Sequence, residues 1–205
     1  ARAGQLAPTL LVAEAQSAGR GRLGRDWRGA ARPGDALTCS LGLPLAPRNW
    51  SGLSLAVGLA LAESLHPAIG LKWPNDLWWQ GRKLAGVLVE TAGAGVPGAP
   101  RSVVIGFGLN IAPLADEGLA TPPAWLQQLL PEVDAPGALL RVAAPLARML
   151  RAFEQGGFAP LAERYAARDV LAGQAVRLSD GSEGVALGVG GGGELLVQTG
   201  DGLRQ

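Results

Sequence analysis

The sequence predicts an α+β fold in which a mixed, largely antiparallel sheet carries helices on one face. Three observations support this class. Apolar runs of strand length are separated by turn signals, and helical periodicity appears over residues 51–65 and 134–154. After Gly173 only short β-forming runs remain. This change of pattern divides the chain into a main domain, residues 1–172, and a small β domain, residues 173–205.

The first half of the main domain predicts strands separated by one helix. Residues 10–13 and 36–43 form short apolar runs that are typical of strands. Residues 51–65 place apolar side chains at helical spacing, and Ser51 is the candidate cap of this helix. Residues 71–91 predict a β-hairpin, because a Gln-Gly turn separates two apolar runs.

The second half predicts one more strand and then helices. Residues 102–111 form the strand, and the Thr-Pro pair at 121–122 predicts the start of a short helix that ends near residue 130. Residues 134–154 predict a longer helix, which Pro145 should break or kink because its ring clashes with the preceding turn. A third helix is predicted from residue 158 to residue 170.

The sequence of residues 173–205 predicts β-hairpins and no helix. Asp-Gly pairs at 180–181 and 201–202 are turn signals between its strands. Four consecutive glycines at 190–193 predict a hairpin loop rather than a cradle for phosphate. The chain begins without methionine and ends without a closing element, so we expect residues to be missing at both ends.

Composition excludes several classes of function. The chain has 205 residues, 48% of them hydrophobic, and a net charge of +1, which predicts neither a nucleic-acid-binding protein nor adsorption to a membrane. No apolar run reaches the roughly 18 residues of a membrane helix. Cys39 and His66 are single and cannot form a Cys/His metal site, and we expect both to be structural. One cysteine suits a reducing compartment, so the predicted location is cytoplasmic.

Arginine and glycine concentrate in one loop of the main domain. Arg20, Arg22 and Arg25 alternate with glycines in residues 19–25. Arginine pairs well with phosphate and carboxylate oxygens, and glycines let a loop approach an anion and change shape. The residues alone leave three interpretations open: a solvated basic loop, a lid over a phosphate-bearing ligand, and an RNA-binding segment.

A second group of polar residues flanks the predicted hairpin. Lys72 and Asp76 bracket a Trp-Pro-Asn turn, and Lys83 follows Lys72 by eleven residues at the start of the next strand. A positioned ammonium group can face an oxyanion, and a carboxylate beside phosphates is a candidate magnesium ligand. The alternative is an ordinary turn with surface lysines.

Glycines alternate in the strand predicted over residues 102–111. Gly106, Gly108 and Asn110 point to one face, which the two glycines leave flat. A ligand could then lie against the backbone, with Asn110 offering a donor and an acceptor at the rim. The alternative is a strand packed tightly under another element.

Together these segments resemble the biotin–protein ligases. The Gly-Arg-Gly-Arg-x-Gly-Arg loop is flanked by Gln16 and Trp27, and the Lys-Trp-Pro-Asn-Asp, Lys-Leu-Ala-Gly and Gly-x-Gly-x-Asn motifs follow in the family's order. The resemblance covers residues 5–200 and implies an SH3-like β-barrel for residues 173–205. The family's Ser-Thr-Asn segment, which helps to hold biotin, is absent from this sequence, so part of the biotin pocket is unassigned.

The resemblance implies an ATP-dependent ligase that forms biotinyl-5'-AMP. The biotin then passes to a specific lysine in the biotin carrier domain of acetyl-CoA carboxylase or a similar carboxylase. The implied cofactors are ATP and Mg²⁺. A homodimer that pairs through sheet edges is also implied, whereas no membrane or nucleic-acid partner is expected for this chain.

Individual roles follow from the same resemblance. The residues expected to act in catalysis are Lys83, Arg20 and Arg22. Those expected to bind biotin are Gln16, Gly19, Arg20, Trp27, Lys83 and Gly86. Those expected to bind ATP or the adenylate are Arg22, Arg25, Lys72, Asn75, Asp76 and Asn110, with Asp76 also the candidate magnesium ligand.

Two other functions remain as alternatives. A lipoate or octanoate transferase would have a similar fold, but the resemblance to that group fails because its arginine–glycine motif ends near a histidine. The single histidine of this chain ends a predicted helix instead. An RNA-binding module would need exposed aromatic residues interleaved with basic ones, and only Trp27 approaches this pattern.

Overall fold

A six-stranded antiparallel sheet forms the frame of the main domain. A computed structural model describes residues 7–16, 18–27, 32–92, 99–113 and 123–205. In chain order the strands of the main domain are β1 (Thr9–Ala13), β2 (Gly19–Arg20), β3 (Asp26–Trp27), β4 (Ala36–Leu45), β5 (Gly70–Lys72), β6 (Asp76–Trp79), β7 (Arg82–Ala92) and β8 (Arg101–Asn110). The sheet has the order β1–β4–β8–β7–β6–β5, and β2 and β3 pair separately.

Helices cover one face of this sheet, as predicted. Helix α1 (Leu53–Leu65) packs against α2 (Ala135–Gly156) and against β5, β6 and β7, while α2 also contacts β4. Cys39, Phe107 and Val87 are partners across three neighbouring strands, and all three are buried toward the helices. Their neighbours in each strand point the other way, which leaves the second face available for a ligand.

Helix α1 is buried on nearly all sides and begins two residues later than predicted. The predicted cap, Ser51, is wrong: the N-cap is Gly52, whose φ of 81° no side chain favours. Ser51 instead donates its backbone N–H to Asn49 Oδ1 at 2.9 Å. A helix that is apolar all round belongs inside a protein, and its small residues let α2 pack closely.

Helix α2 continues through Pro145, so the predicted break is absent. Its N-cap is Asp134, whose Oδ1 accepts a hydrogen bond from the backbone N–H of Gly137 at 2.7 Å. Proline costs one backbone hydrogen bond within the helix. The apolar face of α2, with Leu146 and Phe153 buried in the core, offsets this loss by packing.

The other two predicted helices are shorter than expected. The first is a single 3-10 turn (Leu126–Gln128), and its predicted start at 121–122 lies outside the described residues. The second consists of a 3-10 turn followed by α3 (Ala162–Ala166). It ends early because the backbone of residues 168–170 pairs with Leu71 and covers the edge of the sheet at β5.

A second antiparallel sheet contains the C-terminal residues. Its strands are β9 (Ala175–Arg177), β10 (Glu183–Val189), β11 (Leu195–Thr199) and β12 (Gly202–Arg204), in the order β12–β11–β10–β9. Within the described residues β9 and β12 do not pair with each other. The SH3-like barrel and the domain boundary at residue 172 therefore stay predictions.

Strand β1 forms one edge of the main sheet, and no described strand pairs with its outer side. Leu10, Leu11 and Val12 are exposed by 50%, 65% and 45%, so apolar side chains face outward on both faces of this strand. An open edge of this kind can pair with another strand. The homodimer stays a prediction, for which β1 is the candidate surface.

Cys39 is structural, as predicted. It is 1% exposed in the core between the sheet and α1, and burial raises the pKa of its thiol to about 11. In the part of the chain that the structure describes, no helix is long and apolar enough to cross a bilayer.

We expect Asp134→Ala to lower the free energy of unfolding by about 1 kcal/mol, the usual cost of losing a helix N-cap. Equilibrium unfolding in urea measures this change. The matched control is Glu132→Ala, which removes an exposed carboxylate just before the cap and should change stability by less than about 0.5 kcal/mol. Equal stability of the two variants would contradict the capping role.

Candidate active site

A cleft of about 1250 Å³ lies on the face of the main sheet that the helices leave open. Its walls are the arginine–glycine loop, the middle of the sheet and the C-terminal sheet. Of the predicted site residues, those that line it are Gln16, Arg20, Arg22, Arg25, Trp27, Lys72, Asn75, Asp76, Lys83 and Gly86. The cleft exceeds the usual range for small ligands, so it has room for a nucleotide and a second ligand.

Trp27 is seated on the sheet where two glycines face each other. Gly86 of β7 and Gly108 of β8 are direct partners in the ladder. A Cβ on Gly108 would lie 2.7 Å from Trp27 Nε1 and nearer still to two ring carbons, and one on Gly86 would lie 3.4 Å from Cζ3. Only glycine therefore fits at position 108. The two glycines were predicted to leave a flat face for a ligand. At Gly108 this face holds the Trp27 ring instead, and only Gly106 lines the cleft.

The loop before Trp27 is closed by its own backbone. Gly21 N–H donates to Arg25 O at 2.7 Å, and Arg25 N–H donates to Arg22 O at 3.2 Å. Between them Leu23 has a φ of 58° and is 87% exposed, an unfavourable state for an apolar residue. Gly19 is buried, since its missing side chain leaves room for the backbone of Trp27.

The three arginines of this loop are exposed at the mouth of the cleft. Arg20, Arg22 and Arg25 make no ion pair with any carboxylate that the structure describes. Cations that are held near a concave surface without counter-charges attract anionic ligands. This arrangement is suited to binding an anion.

Lys72, Asp76 and Lys83 form one charged corner of the cleft. Lys72 and Asp76 are partners across β5 and β6, and Lys83 Nζ lies 2.8 Å from Asp76 Oδ1. Lys72 Nζ lies 3.7 Å from the centroid of the Trp78 ring. Burial lowers the pKa of Lys72, Asp76 opposes this shift, and the charge of Lys83 adds to it. Lys72 and Lys83 are the only two lysines of the chain.

The turn between Lys72 and Asp76 is fixed to the rest of the domain. Asn75 Nδ2 donates to Val87 O at 2.7 Å, and Val87 N–H donates back to Asn75 O at 2.9 Å. Ser54 Oγ of α1 donates to Pro74 O at 3.1 Å. Because its amide already serves the turn, Asn75 acts first as a structural residue of the cleft wall.

Asn110 does not lie at the rim of the cleft, so that predicted position is wrong. It is 3% exposed, and its Nδ2 donates to Ala124 O at 2.9 Å and to Lys83 O at 3.4 Å. The backbone N–H of Ala124 donates to the same Lys83 carbonyl at 2.8 Å. Asn110 thus holds the backbone of Lys83 from behind, and its predicted contact with the nucleotide is untested.

The cleft also contains residues that the sequence analysis did not identify. Ser40 and Glu90 line it beyond Gly106, and Arg177 and Arg204 line it from the C-terminal sheet. Ser40 is the ladder partner of Gly106. Only the pairing of β4 with β8 reveals this position, so no local pattern could have indicated it.

The charged corner offers a metal ion one carboxylate, that of Asp76. Among the described residues no group of three or more His, Cys, Asp or Glu side chains could hold an ion. Mg²⁺ commonly binds through one or two carboxylates, with substrate phosphates and water completing its shell. Asp76 fits that mode of binding and does not form a preformed site.

An antiparallel sheet with helices on one face and a cation-lined cleft on the other defines an α+β domain that is suited to anionic ligands. The chain belongs to the Biotin/lipoate A/B protein ligase family, whose model matches residues 3–110. It is 36% identical to the Bifunctional ligase/repressor BirA of Escherichia coli strain K12, over 91% of this chain and 60% of that protein. It is 34% identical to the biotin–[acetyl-CoA-carboxylase] ligase of Paracoccus denitrificans, over 97% of this chain and 89% of that protein. The chain thus spans about three fifths of the length of the E. coli relative.

Solved structures have the same fold. The biotin protein ligase from Aquifex aeolicus in complex with biotin and ATP superposes with a TM-score of 0.78 at 28% identity, covering 95% of this chain and 84% of that chain. The biotin protein ligase from Leishmania major in complex with biotin gives 0.63 at 22% identity, over 97% of this chain and 87% of that chain. These likenesses confirm the predicted α+β class.

We expect Gly108→Ala to open the loop of residues 19–27, because the new methyl group overlaps the Trp27 ring. Trypsin should then cleave after Arg20, Arg22 or Arg25 roughly tenfold faster in the absence of ligand, since overpacking costs ~1–3 kcal/mol. Mass spectrometry of timed digests measures the rates.

The matched control is Gly106→Ala in the same strand. Among the described atoms, the nearest to a Cβ at Gly106 would be Leu88 O at 3.6 Å, so ordinary contact is expected there. If both variants were cleaved at the same rate as the unmodified protein, Trp27 would not depend on the glycine pair for its position.

Proposed function

We propose that the chain carries the catalytic part of a biotin–protein ligase, with residues 1–172 as the biotin- and ATP-binding domain and residues 173–205 as a small C-terminal β domain. It would form biotinyl-5'-AMP and then transfer biotin to a specific lysine of a carboxylase biotin carrier domain. The observation that carries this proposal is one cleft that holds Lys83, Asp76 and Lys72 opposite three arginines, which pair with no carboxylate among the described side chains. The names of the relatives support it.

The first reaction joins two anions. A carboxylate oxygen of biotin attacks the α-phosphorus of ATP, the bond from that phosphorus to the bridging oxygen breaks, and pyrophosphate leaves. Negative charge accumulates on the phosphoryl oxygens in the transition state, so positioned cations provide the main stabilisation. We assign Lys83 to the biotin carboxylate and the α-phosphate.

Lys83 is held in place by two kinds of contact. Its ammonium group pairs with Asp76 at 2.8 Å, and its backbone carbonyl accepts hydrogen bonds from Ala124 and Asn110. A preorganised cation loses little freedom when the ligand binds. Asp76 would hold Mg²⁺ together with the phosphates, and the ion would neutralise phosphate charge there.

The second reaction consumes the adenylate. The neutral amine of the carrier lysine attacks the acyl carbon, AMP leaves with the electron pair, and the amine proton passes to solvent. The mixed anhydride hydrolyses readily in water, so it must be shielded until the carrier arrives. The loop of residues 20–25 is suited to cover it, because its arginines line the mouth of the cleft and its glycines let it close.

The cellular setting forms part of the same proposal. The only cysteine is buried and unpaired, which suits a reducing compartment such as the cytoplasm. The acceptor would be the biotin carrier domain of acetyl-CoA carboxylase or a similar carboxylase. The names of two relatives include that carboxylase.

The test of the proposal is biotin-dependent exchange of labelled pyrophosphate into ATP. We expect exchange that requires biotin and Mg²⁺ and that lipoate does not support. Lys83→Ala should reduce it by about 100-fold or more, the usual loss when a group that stabilises transition-state charge is removed. The control is Arg148→Ala, which removes an exposed cation on α2 outside the cleft and should keep full exchange. Absence of exchange from the folded, unmodified chain would refute the function.

The lid is tested separately with Arg22→Gly. We expect this variant to release its adenylate, so that bystander proteins become biotinylated on lysines at random. Streptavidin blotting of an added lysine-rich protein measures this release, with Arg48→Gly, an exposed arginine outside the cleft, as the control. Labelling that stays confined to the carrier would show that Arg22 does not retain the adenylate.

A further inference from the structure

Trp73 donates a hydrogen bond that has no part in the proposed reaction. It lies in the turn between Lys72 and Asp76, and its indole Nε1–H donates to the carbonyl oxygen of Gly193 at 3.0 Å. Gly193 belongs to the glycine tract that joins β10 to β11 in the C-terminal sheet. This bond therefore connects a wall of the cleft to a hairpin 120 residues away in sequence.

The hairpin meets the main domain backbone to backbone. Gly193 has a φ of 87°, and a Cβ there would lie 2.6 Å from Gly52 Cα and 2.9 Å from Gly52 N. The turn is closed internally by Gly193 N–H, which donates to Gly190 O at 3.0 Å. Any other residue at 193 would push the hairpin away from the start of α1, and the acceptor of Trp73 would move with it.

Three different elements hold the three residues of the turn. Gly193 of the hairpin binds Trp73, Ser54 of α1 binds Pro74, and Val87 of β7 binds Asn75. The first two elements also touch each other, because Gly52 lies two residues before Ser54. The positions of Lys72 and Asp76 at the two ends of the turn are thus tied to where the C-terminal sheet docks.

We propose that Trp73 is a positioning residue through which the C-terminal sheet sets the geometry of the ATP site. The bond from Trp73 to Gly193 holds the turn so that Lys72 and Asp76 face the phosphates. Because coupling is reciprocal, bound MgATP in turn stabilises the docked hairpin. The inference rests on the proposed function for its ligand, whereas the mechanical link between the hairpin and the turn does not depend on it.

The test uses two variants that disrupt the hydrogen bond between Trp73 and Gly193, one at the donor and one at the acceptor. Trp73→Phe removes the donor and keeps an aromatic ring, and Gly193→Ala displaces the acceptor. We expect each to raise the KM for ATP in biotin-dependent pyrophosphate exchange by about fivefold or more, as the loss of one hydrogen bond predicts, while the Kd of biotin alone stays unchanged. The double variant should resemble the stronger single variant, because both changes remove the same link.

A matched control exists for each variant. Gly181→Ala introduces alanine at a φ of 88° in another turn of the same sheet, where a Cβ would meet no described atom within 4 Å. Trp50→Phe removes an indole N–H from a partly buried tryptophan outside the cleft. Neither control should change the KM for ATP.

A second readout does not require activity. Amide hydrogen exchange at residues 72, 73, 75 and 76 should be faster in Trp73→Phe and Gly193→Ala than in the two controls, with no ligand present. Unchanged exchange at these amides would overturn the link.

A lowered melting temperature with an unchanged KM for ATP would also overturn the proposal, because Trp73 would then be only structural. If the unmodified chain lacked biotin-dependent activity, the proposed function would fail, and the amide exchange would still decide the link.

Discussion

The register between β7 and β8 is the constraint on which the cleft depends. It places Gly86 opposite Gly108, and the missing side chain at Gly108 leaves room for the ring of Trp27. A shift of β7 by one residue would put Ala85 or Val87 opposite Gly108 in place of Gly86, and it would turn the buried side chains of β7 toward the cleft. The loop of arginines is connected to Trp27, so its position over the sheet follows from the same pairing.

Charge in the cleft is arranged by the same strands. The start of β7 holds Lys83, and the hairpin before it brings Asp76 within 2.8 Å. Asn110 and Ala124 both donate hydrogen bonds to the backbone carbonyl of Lys83 from the side of the core, where water competes little for them. Binding an anion in this cleft therefore requires little rearrangement of the sheet, and the exposed loop is the part that can move.

Local patterns in the sequence revealed the strands, α1 and the charged segments, since periodicity and glycine spacing act within a few residues. They also indicated that Cys39 would be structural. They could not reveal that Trp27 covers Gly108 or that Asn110 lies behind Lys83, because these contacts join distant segments. Ser51 does not cap α1, and Pro145 does not end α2. In both cases the tertiary packing of the helix outweighs the local preference of the residue.

The two lysines give the chain an unusual chemical surface. Both lie in the cleft, with Lys83 paired to Asp76 and Lys72 covered by Trp78, and every other cation of the chain is an arginine. Guanidinium groups stay protonated and do not attack acyl anhydrides, whereas free ε-amines do. A protein that makes an amine-reactive product would thus have both of its ε-amines in the cleft, each held by a neighbouring side chain, and this chain would offer that product no other lysine.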